Sequence, residues 1–171
     1  KSHTGSNSLK VLNTEMVTLT SAVLTTSPTS LSGIQGKDYV VSLWVNVEET
    51  GAYGTLSAGG VTVSTEDSHE MIDGWKKLEI SFTMGASPES IIYTSSGTTN
   101  IDDIRFGPYE GGMVTYVYDP GNLWLLSELD GLNYATFYNY DEEGNLVQVK
   151  KETEEGIVTV KMARSNTVQL P

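Results

Sequence analysis

No cysteine occurs in the chain, which excludes a disulfide framework, a thiolate zinc cluster and a thiol nucleophile. Histidine is almost as scarce, with two residues in 171, and cationic side chains are few: 10 Lys and Arg face 22 Asp and Glu. The net charge of −12 argues against nucleic acid as a partner, because phosphate binding needs clustered Lys and Arg, and against adsorption to anionic lipid. Long apolar runs are missing too. None approaches the ~18–20 residues that cross a bilayer as a helix, so the chain is not expected to span a membrane. There is no Gly-Xaa-Ser-Xaa-Gly nucleophile motif and no glycine-rich phosphate loop, so catalysis has no anchor in the sequence. At 38% hydrophobic content the composition is nevertheless that of a globular protein.

What is present is punctuation and alternation. Seventeen Gly and five Pro, with Ser and Thr throughout, cut the chain into short apolar segments. Two-residue alternation predicts strands. Over residues 39–47, Tyr39, Val41, Leu43, Val45 and Val47 form one face, and Val40, Ser42, Trp44 and Asn46 the other. After Gly74, the residues Leu78, Ile80, Phe82 and Met84 alternate with Lys77, Glu79, Ser81 and Thr83. Shorter strands are expected over 8–12, 16–19, 60–63, 89–94 and 101–106. Several strands separated by turn signals indicate a two-sheet sandwich.

The texture changes near Pro108: six of the nine tyrosines follow it. Beyond it lies an internal repeat. Tyr118-Asp119-Pro120-Gly121-Asn122-Leu123 recurs as Tyr140-Asp141-Glu142-Glu143-Gly144-Asn145-Leu146. Continuing the alignment sets residues 134–137 against 157–160, and the turn at Asp130-Gly131-Leu132-Asn133 against Glu154-Glu155-Gly156. Each unit reads as strand, Gly-Asn turn, strand, polar turn, a ribbon of antiparallel hairpins. Such a ribbon is a poor core by itself and should lean on the sandwich or on more repeats.

From Thr115-Tyr116-Val117-Tyr118-Asp119 to Met162 the chain resembles the YD-repeat (rearrangement-hotspot) family. The preceding part resembles carbohydrate-binding-module-like (galactose-binding-like) jelly rolls of large bacterial surface proteins. The residues that carry this likeness are His3-Thr4-Gly5-Ser6-Asn7-Ser8-Leu9, Tyr39 to Val45, Gly74-Trp75-Lys76-Lys77-Leu78 and Asn100-Ile101-Asp102-Asp103-Ile104-Arg105. The resemblance implies an all-β chain: a jelly-roll β-sandwich over 1–108, lacking its first strand, with an appended antiparallel β-hairpin, YD-repeat-like region over 109–171. It further implies a non-catalytic module at the C-terminal end of a large secreted or surface-displayed bacterial protein. Its expected partners are other domains of a longer parent chain, and either a glycan or a cell-surface or secretion-machinery protein.

Trp44 is the leading candidate for ligand contact. An aromatic on the polar face of a sandwich can stack on a sugar ring while Ser42 and Asn46 take the hydroxyls; alternatively this face packs on a loop or on the repeat segment. Tyr93 is a candidate rim residue, as is Tyr53, while Trp75 and Trp124 read as structural. In the resembling jelly rolls an Asp of the last strand helps to hold a structural calcium. Asp102 and Asp103, with backbone oxygens of residues 2–5, are therefore the candidate metal ligands, against a solvated pair or a turn cap. Two further motifs fail on inspection. Asn139 to Gly144 starts like a calcium loop, but its twelfth position is Lys150. His69-Glu70 lacks the second histidine of a zinc-protease helix.

Overall fold

The alternation of residues 39–47 becomes a ten-residue inner strand, as long as any among the described residues. The computed structural model describes residues 1–12, 16–19, 34–47, 50–68, 71–86 and 90–163, the backbone alone for 16–19. Thirteen strands and no helix are found among them. The strands are β1 (Leu9–Val11), β2 (Met16–Leu19), β3 (Asp38–Val47), β4 (Gly54–Ala58), β5 (Val61–Ser64), β6 (Trp75–Thr83) and β7 (Ile91–Ser95). There follow β8 (Thr99–Pro108), β9 (Thr115–Tyr118), β10 (Leu125–Leu129), β11 (Ala135–Tyr140), β12 (Leu146–Thr153) and β13 (Gly156–Met162). Strand β4 was not anticipated: its sequence, Gly-Thr-Leu-Ser-Ala, has small residues at every position but one. The rejected motif at His69-Glu70 and the tail from residue 164 lie outside the described residues.

Among the described residues three antiparallel sheets form, with orders β1-β8-β3-β6, β2-β7-β4-β5 and β13-β12-β11-β10-β9. The first two sheets share one apolar core. Val41, Leu43 and Val45 of β3, Leu56 of β4 and Ile91 of β7 have no accessible surface, and Ile80, Tyr93 and Ile101 are nearly as closed. This arrangement is compatible with a β-sandwich, as the alternation predicts.

One feature of β3 goes beyond a simple sandwich strand. Its outward residues Ser42, Trp44 and Asn46 are buried as well as its inward ones. A strand shielded on both faces needs a layer on each side. The third sheet, with its turns and the N-terminal residues, supplies the second layer.

That third sheet follows the chain order, each strand pairing with the next. The two copies of the internal repeat close equivalent hairpins. Asp119 Oδ1 accepts N–H bonds from Gly121 and Asn122 between β9 and β10. Asp141 Oδ1 accepts them from Glu143 and Asn145 between β11 and β12. The recurring Tyr-Asp is thus a turn device, with the carboxylate doing what a backbone carbonyl does in a plain turn. Gly144, at φ 85°, supplies the left-handed residue of the second copy. In the first copy Leu123 adopts φ 61° instead, a conformation that costs a branched side chain some strain.

Candidate functional site at the junction of the sheets

The junction is built around an irregularity in β8. Ser42 lies opposite Arg105 and Trp44 opposite Asp102, so two residues of β8, Asp103 and Ile104, oppose the single Leu43. Asp103 takes φ 47° at this bulge. A bulge re-aims a side chain, and here it turns the Asp103 carboxylate toward the N-terminal segment.

His3 fills the space so created. Its Nδ1 lies 2.6 Å from Asp103 Oδ2 and its Nε2 lies 2.8 Å from Glu152 Oε1 on β12. The ring stacks on the Trp44 indole with centroids 4.3 Å apart, and meets Trp75 edge-on at 5.4 Å. Burial by itself lowers the pKa of an imidazole; hydrogen bonds and charges from Asp103 and Glu152 outweigh it and raise His3 to about 9. Carboxylate oxygens only accept, so both ring nitrogens donate and the ring is an imidazolium at neutral pH.

Each partner is itself held. Glu152 is 2% exposed, and its Oε2 accepts the N–H of Ala135 at 2.7 Å. Thr4 Oγ1 donates to Asp103 Oδ1. Asp102 Oδ2 accepts the N–H of His3 at 2.8 Å, and Asp102 Oδ1 accepts the N–H of Asp103. Burial, followed by the neighbouring Asp103 charge, raises the Asp102 pKa. Gly5, at φ 61°, passes so close to Val117 of β9 that a Cβ would sit 2.9 Å from its Cγ1.

A second set of bonds runs beside the first. Trp44 Nε1 donates to the Asn133 carbonyl at 2.8 Å, and Asn133 Nδ2 donates to the Asp103 carbonyl at 3.0 Å. The Arg105 guanidinium donates to the carbonyls of Leu129, Asp130 and Met113. Lys77 Nζ donates to the Leu132 carbonyl and lies 4.9 Å from the centre of the Tyr134 ring. The turn between β10 and β11 is therefore stitched to the outer face of the sandwich from three strands.

The candidates from the sequence fall into three places. Trp44 is 1% exposed, closed between His3 and Tyr134, so neither ring face is open. Ser42 and Asn46 are buried beside it, and Asn46 Nδ2 donates to the Gly74 carbonyl. Tyr93 lies in the core between the two sandwich sheets, its hydroxyl bonded to Thr99 Oγ1.

Asp102 and Asp103 do lie beside the N-terminal residues, but the donor set does not suit a hard cation. Their carboxylate oxygens face N–H and O–H donors, and the imidazolium stands where a cation would. Among the described residues no group of three or more His, Asp and Glu is arranged to hold a metal ion.

Comparison of the sequence with protein-family models and with curated proteins returns no match. The chemistry of the junction must therefore be read from its own geometry. Both nitrogens of His3 are committed to carboxylates, which leaves neither to take a proton from a nucleophile. The arrangement is a charged, buried joint.

His3, Glu152, Asn133 and Arg105 were not named as site residues from the sequence, although His3 and Arg105 lie in the segments that carry the jelly-roll resemblance and Asn133 in a turn of the repeat. Glu152 is one acidic residue among many, and only the strand register turns it inward. The scarcity of histidine, and the place of His3 in the N-terminal motif expected beside Asp102 and Asp103, were the signals that could have drawn attention to it.

Proposed function

We propose that the chain is a non-catalytic structural module of a large secreted or surface-displayed bacterial protein. In this reading a jelly-roll, carbohydrate-binding-module-like sandwich carries a YD-repeat-like hairpin region that contacts a cell-surface or secretion-machinery protein. The observation that carries it is the contrast between two adjacent strands of the third sheet. β12 is held on the sandwich side by the bond between His3 and Glu152. Its neighbour β13, the edge strand, pairs only with β12 among the described strands and exposes Ile157, Val158, Val160 and Met162. An open edge with apolar residues is a surface that another chain can cover.

The test is retention of labelled protein on bacterial cell envelopes, compared with a V158K/V160K variant of unchanged melting temperature. Retention of the parent and loss of the variant is expected. Equal retention of both, competed away by soluble polysaccharide, would move the assignment to glycan binding. A glycan-binding role is the second reading, and a cavity beside the junction favours it.

A further inference from the structure

A cavity of about 340 Å³ opens on the outer face of the sandwich, next to the buried joint. Ser42 and Val40 of β3, Glu79 of β6 and Arg105 of β8 form its floor, and Tyr109, Met113 and Leu132 its walls. Its size falls within the range that takes a small ligand, about 300–1,000 Å³.

The polar groups restrict what fits. Arg105 is 9% exposed and bonds three carbonyls, with the charges of Asp103 and Asp130 acting on it. Glu79 lies across the floor with 41% of its side chain exposed, and Lys77 Nζ is 2.8 Å from its Oε2. An anion in the cavity would meet Glu79 and a net charge of −12. A cation would meet Arg105. A neutral ligand bearing both donors and acceptors meets no like charge. The apolar walls, with Tyr109 60% exposed and Leu132 65% exposed, suit a ring with a C–H face.

We propose that this cavity binds a neutral sugar, its hydroxyls placed between Glu79, Ser42 and Arg105 and its ring against Tyr109 and Leu132. The proposal rests on the glycan-binding reading and moves the contact surface from Trp44 to the cavity.

The experiment is calorimetric titration of the whole chain with neutral mono- to trisaccharides of glucose, galactose, mannose and N-acetylglucosamine, alongside glucuronate and glucosamine. Amide chemical-shift mapping accompanies it. The variants are Glu79→Ala and Tyr109→Ala, whose side chains are exposed enough for the fold to survive. Saturable binding of a neutral sugar, shifts at Gly107, Gly111 and Gly131, and a loss of about tenfold or more in either variant are expected. Equal or tighter binding of the charged sugars would overturn the proposal. Binding that both variants leave intact and that maps elsewhere would overturn the site while leaving the glycan reading standing. No binding of any sugar would remove both.

Discussion

Between the paired sheets of the sandwich lie Val41, Leu43, Val45, Leu56 and Ile91, all apolar, whereas the shielded positions of the third sheet are Ser127, Leu129, Ala135 and Glu152. The sandwich is held by non-directional burial, which tolerates small changes of angle and fails when volume is removed. The third sheet has little apolar surface to bury. Its place depends on directional bonds from His3, Trp44, Arg105 and Lys77 to a few named oxygens. Two regions of one chain are thus ordered by different forces and should fail under different insults.

Trp44 belongs to both regions, so its truncation should do the most damage. Trp44→Ala is expected to cost about 3–5 kcal/mol in denaturant unfolding, through a cavity and the loss of the bond to Asn133. A cost below about 1 kcal/mol would mean that the face is open rather than packed.

Next comes the joint itself. His3→Ala leaves the buried Glu152 charge without its partner, and a cost of about 3 kcal/mol is expected. The loss should appear first in hydrogen exchange of β10 to β12, with the β3 and β6 amides protected for longer. Uniform loss in both sheets would erase the distinction between the two regions.

The same joint predicts a pH dependence. The folded-state pKa of His3, about 9, lies above the ordinary 6.5, so its contribution is complete below about pH 6.5. It fades as pH rises through 9, by an amount on the order of 3 kcal/mol. Unfolding midpoints measured from pH 6 to 10 should fall across that window in the parent protein. The His3→Gln variant should show a flatter profile, and parallel profiles would rule out a charged ring.

Smaller effects probe the hairpins. Asp119→Ala removes two turn bonds at an exposed site and should cost about 1 kcal/mol. Val160→Lys, on the exposed edge strand, should change stability by less than about 0.5 kcal/mol. A large loss at Val160 would show that the edge is already covered.

Much of the strand pattern was legible in advance. The strand over 39–47 was readable because hydrophobic burial imposes a two-residue period, and β3 runs from Asp38 to Val47. The repeat was readable as hairpins because turn chemistry is local, and Asp119 and Asp141 close equivalent turns. The candidate site was not legible to the same degree. Alternation put Trp44 on the outer face but could not say what covers that face, since a period carries no information about a neighbouring layer. Tyr93 stood out only as a candidate rim aromatic, and its place in the core follows from the pairing of β7 with β4.

By itself the sequence determined an all-β chain, its main strands and the turns of its repeat, because periodicity and turn preference act over a few residues. Only the tertiary structure decided that His3 meets Asp103 and Glu152, partners 100 and 149 residues away. That meeting depends on the bulge in β8 and on the inward register of β12. Both are set when the third sheet docks on the sandwich, a long-range event that no local pattern encodes.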